Sequence, residues 1–174
     1  MVNREIQMIG NAALMERPKV AFFSSRRVAP AVVMRSYDWA TEMRCGGRGA
    51  TALPVGGSAG RLALPCIVGG FQSALERDVL KLLLPDGGPP IVMVLARGLW
   101  KVVPREYREA IGAGRMLAVS TSNASVGRVS KETAAKRNAW ILDHCDEAVF
   151  ASLDPSGSLA RLVAARPCLR YKVL

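Results

Sequence analysis

Pro90 to Ala96 (PIVMVLA) contains no polar side chain. A strand tolerates that composition only where both its faces are covered, as in a parallel strand flanked by helices. Lys19 to Ser24 (KVAFFS) has the same character between its polar ends. Both runs are predicted to be central strands. Helical patterns separate them from further short apolar runs, and repeated strand–helix units predict an α/β domain. The expected architecture is a Rossmann-like, doubly wound, mostly parallel sheet with helices on both faces.

The punctuation supports this division. After a short N-terminal segment and the first strand, Pro30 suits the opening turn of a helix running to about Arg44. Leu64 to Val68 reads as a second strand ending at Gly69-Gly70. Ser73 and Glu76 have capping-box spacing, so a helix follows with Leu75, Val79, Leu82 and Leu83 towards the core. Pro104 starts a short helix, and Met116 to Ser120 is another strand. A basic helix to about Cys145, a strand over Ala148 to Ser152, a helix over Ser156 to Ala165 and a strand over Leu169 to Val173 complete the series. The 174 residues suit a single domain spanning 1–174. A glycine-dense stretch at about 45–62 reads as an insertion or long loop.

In folds of this kind, ligands bind beyond the C-terminal ends of the strands. That rule selects Ser24 to Arg27, Gly69 to Ser73, Ala96 to Leu99, Ser120 to Arg128 and Asp154 to Ser158. Glycine and serine in such turns let backbone N–H groups approach an anion, although they are also ordinary turn residues. Arg128 to Asn138 reads as a loop entering a helix, with Ser130 as N-cap and Glu132 in the first turn. A helix start carries partial positive charge, and Arg128, Lys131, Lys136 and Arg137 add to it. The alternative is a solvated basic face. Neither a dinucleotide fingerprint nor a phosphate-binding P-loop is present.

The formal net charge is +10, from 24 Lys and Arg against 14 Asp and Glu. That balance favours a polyanionic partner, nucleic acid ahead of an acidic membrane. Cys45, Cys66, Cys145 and Cys168 form no metal-ligand or disulfide spacing, and His144 beside Cys145 is read as structural. No metal and no cofactor are expected. MVNREIQMIG lacks a signal-peptide core and no stretch has the length to span a bilayer, which predicts a cytoplasmic protein without membrane contact.

Taken in order, these segments resemble the DNA-processing protein A family, within the superfamily that includes the lysine decarboxylase-like proteins. The resemblance runs from about Met8 to Ala165. Ile9-Gly10-Asn11 and Leu14 resemble the family's lead-in. Ala21 to Arg26 resembles its strand ending in Gly-Ser-Arg, with Ser24 where the family has glycine. Val68 to Phe71 resembles its Ser-Gly-Leu-Ala turn, and Val92 to Leu99 its strand ending in Gly-Ser-Gly-Leu. Arg137-Asn138 matches the Arg-Asn pair of the family's RNRIIAGL helix, here RNAWILDH. Ser156 to Leu159 matches its Ser-Gly-Ser/Thr-Leu turn. The resemblance implies a core domain without the flanking helical and winged-helix domains of many members. It also implies single-stranded DNA binding in a basic pocket, and a recombinase partner during transformation. A homodimer is a further expectation.

The leading expectation is therefore a non-catalytic module for single-stranded DNA or a nucleotide phosphate. Its expected contacts are Ser25, Arg26, Arg27, Gly69, Gly70, Arg97, Gly98, Arg128, Lys131, Arg137, Asn138, Ser156, Gly157 and Ser158, and no residue is assigned to catalysis. Aromatics are only 6% of the chain, which leaves Phe71 and Trp100 as the candidate stacking residues nearest the site. The alternatives are a phosphoribohydrolase and a small-nucleotide sensor. The hydrolase branch carries a glutamate in its last loop, whereas DPSGSLARL has Arg161 or Leu162 at or near that position. Glu76 is the substitute it would need.

Overall fold

The computed structural model describes residues 6–46 and 64–174. Nearly all of the glycine-dense stretch, and with it the expectation of an insertion or long loop, lies outside the described residues. The strands are β1 (Gln7–Gly10), β2 (Lys19–Phe23), β3 (Cys66–Gly69), β4 (Ile91–Leu95), β5 (Met116–Ser120), β6 (Glu147–Phe150) and β7 (Arg170–Val173). The helices are α1 (Pro30–Arg44), α2 (Ala74–Leu83), α3 (Arg105–Gly112), α4 (Lys131–His144) and α5 (Ser158–Ala164), with a 3-10 turn over Ala12–Glu16.

The strands form one sheet in the order β1-β5-β4-β3-β2-β6-β7. β2 to β7 are parallel, and β1 lies antiparallel against β5. The two apolar runs are interior strands, as their composition requires. Every residue of β4 is buried, and it lies between β3 and β5.

Side-chain alternation builds a core on each face. Phe22, Ile67 and Met93 meet Trp39 and Met43 of α1, Val79 and Leu83 of α2, and Ala110 of α3. Phe23, Val68, Val92 and Val94 meet Ile141 and Leu142 of α4 and Val163 of α5. Burying one large apolar side chain of this kind contributes about 1.5–3 kcal/mol. Phe22 stacks on Trp39 with ring centroids 4.8 Å apart, and Phe23 on Phe150 at 5.3 Å.

Some boundaries differ from expectation. β1 is a strand where only a lead-in was expected. It is short, half-exposed and held by one neighbour, so it lacks a strong pattern. Gly10 adopts φ +111, and a Cβ there would lie 2.3 Å from the Met116 carbonyl oxygen. α5 begins at Ser158 rather than Ser156. Asp154 folds Ser156 into a turn first, its Oδ1 accepting from the Ser156 amide at 2.9 Å and the Ser156 hydroxyl at 2.8 Å.

The chain lays β3, β4 and β5 successively to one side of β2. α4 then carries it back across one face, and β6 pairs on the other side of β2. That reversal is the topological switch at which doubly wound sheets form their crevice.

Candidate nucleic-acid interface

The parallel direction of β2 to β6 brings the loops that follow them to one edge of the sheet. The loop after β3 is the most tightly built. Gly69 and Gly70 are buried, and Phe71 turns back with φ +47, rare for a bulky residue. Its ring lies in the core at 5% exposure, so Phe71 offers nothing for base stacking. Gly70 is required by what lies over it: a Cβ there would sit 2.4 Å from Cζ of Arg137.

Arg137 is 6% exposed and reaches this loop from α4. Its Nη1 donates to Gln72 Oε1 at 2.7 Å, while Nε and Nη2 donate to Asn138 Oδ1 at 3.1 and 2.9 Å. Both acceptors are neutral amides. Burial lowers the guanidinium pKa, and the Glu76 carboxylate offsets part of that shift. No carboxylate is bonded to this buried guanidinium among the described residues.

Glu76 is the second buried charge here. Its Oε1 accepts from the Ser24 amide at 3.0 Å, and Oε2 accepts from the Gln72 and Ser73 amides at 2.7 and 3.1 Å. The capping box expected at Ser73 and Glu76 is present. The bond to Ser24 goes further, since it locks the end of β2 to the start of α2. Both carboxylate oxygens are used by the backbone.

The loops after β4 and β5 are clamped together. Ser120 Oγ donates to the Arg97 carbonyl at 2.8 Å, and the Gly98 amide donates to the Val126 carbonyl at 2.9 Å. A Cβ at Gly98 would lie 2.8 Å from the Ala124 carbonyl oxygen, so glycine is fixed by close approach. The amide expected to face a phosphate at Gly98 is thus already bonded. The same holds after β6, where the Gly157 amide donates to the Asp154 carbonyl at 2.9 Å. Ser25 Oγ reaches the Ser152 carbonyl at 3.5 Å, joining the loops after β2 and β6 across the switch.

Exposed cations of this edge include Arg26 and Arg27 after β2, Arg97 and Lys101 after β4, Arg128 before α4 and Lys131 at its start. No ion pair among the described residues involves them. Ser158 is exposed at the start of α5. Lys136 differs, being paired with Glu132 one turn earlier. Asp154 is the carboxylate of the five loops, and its bonds from Ser156 hold its pKa below the ordinary value. Trp100 is half-buried and stacks on Tyr107 at 5.4 Å. Burial and the adjacent Glu106 push the Tyr107 hydroxyl up to about 12.

The structure thus joins Gly70, Arg137 and Asn138 directly, and Ser25 to the loop after β6. It places Arg26, Arg27, Arg97, Arg128 and Lys131 on the same edge. Sequence reasoning missed Gln72, which carries the link between Glu76 and Arg137, and the Ser120 clamp. A polar residue closing the apolar MLAVS run was the one available signal for the clamp. His144 turns to its own helix, its Nδ1 2.7 Å from the Trp140 carbonyl oxygen. Burial pushes the Cys145 thiol up to about 11, far from a reactive thiolate. Among the described residues no His, Cys, Asp or Glu group can hold a metal ion, and no helix is long and apolar enough to cross a membrane.

This is a Rossmann-like domain with a basic C-terminal edge. It has the core fold of DNA processing protein A. The structure of that protein from Helicobacter pylori, which binds single-stranded DNA, matches with a TM-score of 0.65 at 19% identity, covering 92% of this chain and 67% of the other. DNA processing protein A from Streptococcus pneumoniae matches with a TM-score of 0.65 at 17% identity, covering 92% of this chain and 50% of the other. The chain therefore spans two thirds and one half of these proteins, and the likeness is one of fold. No family model and no curated protein matches the sequence.

Proposed function

We propose that the C-terminal edge binds single-stranded nucleic acid through its phosphates. The observation that carries this reading is the set of cations, without an ion pair among the described residues, spread over the loops after β2, β4 and β5. Those strands span three neighbour spacings in the sheet order. At about 4.8 Å each, the cations cover about 14 Å, more than one phosphate can neutralise. A polymer with successive phosphates fits this spread better than a mononucleotide. The DNA binding of the Helicobacter pylori protein supports the same choice.

Arg26, Arg27, Arg97, Arg128 and Lys131 are the proposed phosphate contacts. Arg137 contributes a fixed positive centre beneath them, with Gly70 giving it room and Asn138 holding it. Trp100, backed by Tyr107, is the proposed surface for a base, a contact worth about 1–3 kcal/mol. The phosphoribohydrolase alternative gains no support from Glu76, whose oxygens are engaged by three amides. Loading of a recombinase onto the bound strand extends this reading by resemblance alone.

The test is a fluorescence-anisotropy titration with a labelled single-stranded oligonucleotide at two salt concentrations, with AMP as competitor. Affinity should fall with salt, by about 0.7 in log–log slope per neutralised phosphate. AMP should displace the oligonucleotide only weakly. Salt-independent binding, or tight AMP binding without oligonucleotide binding, would replace this reading with the nucleotide sensor.

A further inference from the structure

β7 is an edge strand of unusual character. All four of its residues are exposed, and Tyr171 and Val173 remain 50% and 51% exposed although apolar. β6 pairs with one side of it, and no strand among the described residues pairs with the other. The chemistry alternates, with Arg170 and Lys172 on one face and Tyr171 and Val173 on the other. Across the ladder Arg170 stands beside Glu147 of β6, and Lys172 beside Val149.

The backbone direction follows from one bond. The Leu174 amide donates to the Phe150 carbonyl at 2.9 Å, so it points towards β6. Amides two residues apart point the same way, which turns those of Lys172 and Arg170 towards β6 as well. The amides and carbonyls of Tyr171 and Val173 therefore point outwards, presenting an open ladder edge.

We propose that this edge accepts an extended acidic peptide as an added strand, with acidic residues opposite Arg170 and Lys172 and apolar residues opposite Tyr171 and Val173. Main-chain bonds supply affinity in this mode, and alternate side chains supply selectivity. Charge complementarity chooses this occupant over a second copy of the chain. Two antiparallel β7 strands paired face to face would set Arg170 and Lys172 against like charges.

The experiment titrates the protein with a short peptide alternating Glu and Val, and with its Lys–Val counterpart, following backbone amide signals and their hydrogen exchange. The Glu–Val peptide should bind and slow exchange at Tyr171 and Val173, and the Lys–Val peptide should not bind. Val173→Pro removes an outward amide that the β6 ladder does not use, so the fold should persist while affinity drops about tenfold or more. A Glu–Val peptide N-methylated along its inner edge gives the same readout on the unaltered protein if that variant fails to fold. Lys172→Glu with Arg170→Glu should reverse the preference between the peptides. No binding, binding indifferent to Val173→Pro and to N-methylation, or signal changes confined to Arg26, Arg97 and Arg128 would overturn the proposal.

Discussion

The two edges of the sheet use positive charge in opposite ways. Where the parallel strands begin, five cations are tied to the chain. Lys19 Nζ donates to the Met15 and Arg17 carbonyls at 2.7 Å each. Arg17 reaches the Leu64 carbonyl, and Arg44 those of Leu82 and Asp86. Arg115 and Arg166 pair with Asp86 and Asp143. Where the strands end, Arg26, Arg27, Arg97 and Arg128 have no such partner among the described residues. A cation bonded to its own backbone fixes a loop and is already engaged. A cation left in water keeps its charge for a ligand. Net charge cannot separate the two cases, since both edges add to the same +10.

The sharpest way to break this comparison is to remove the unengaged charge. Replacing Arg26, Arg27, Arg97 and Arg128 together by Ala should weaken single-stranded DNA binding by about 100-fold or more at low salt. The log–log salt slope should fall by up to about 0.7 for each phosphate no longer neutralised. Thermal stability should barely change, because exposed substitutions cost within about 0.5 kcal/mol each. Calorimetry beside the anisotropy titration checks both halves. Unchanged affinity would remove the functional distinction between the edges.

Gly70→Ala tests the buried support of the ligand edge. The new methyl group occupies the place of the Arg137 guanidinium. Arg137 must swing away and give up its bonds to Gln72 and Asn138. A loss of about 2 kcal/mol in denaturant unfolding is expected, together with weaker DNA binding by the folded protein. Lys19→Met makes the matching change at the other edge. It strips two carbonyls of their donor and should cost about 1 kcal/mol. The oligonucleotide affinity of the folded protein should stay as it was. If Lys19→Met reduced binding as Gly70→Ala does, the two edges would not be functionally separate.

The sequence made the layers legible because burial on two faces leaves a mark on every residue of a run, as in PIVMVLA. β1 left little mark, because an edge strand with one half-buried face needs no such composition. The candidate site was legible as positions and less so as contacts. Gly70 and Arg137 both stood out, but their packing depends on α4 crossing the sheet to meet a loop 67 residues earlier. Local periodicity cannot report that meeting. Nor could it report that Arg137 is buried while Arg128, in the same basic stretch, is exposed. Gln72 gave no signal, since nothing about a glutamine in a turn forecasts a bond across the sheet.

The smallest expected effect concerns Asp154, the carboxylate among the cations. The Ser156 amide and hydroxyl bind its ionised form, so its folded pKa lies below the ordinary value of 3.8. A depressed carboxylate stabilises the fold at pH above its unfolded pKa. That contribution disappears as pH falls through the lower, folded value. Asp154→Asn should therefore flatten the most acidic part of the stability profile and leave neutral pH nearly unchanged, as denaturant unfolding across that range would register. The same substitution removes one negative charge from the binding edge. Oligonucleotide affinity should rise, by less than about twofold at physiological salt, because screening confines an exposed charge to within about 8 Å. The salt slope should stay constant, since no further phosphate is neutralised. A steep rise in affinity would mean that Asp154 lies in the path of the strand itself, and the loop after β6 would then join those after β2, β4 and β5 as a binding surface.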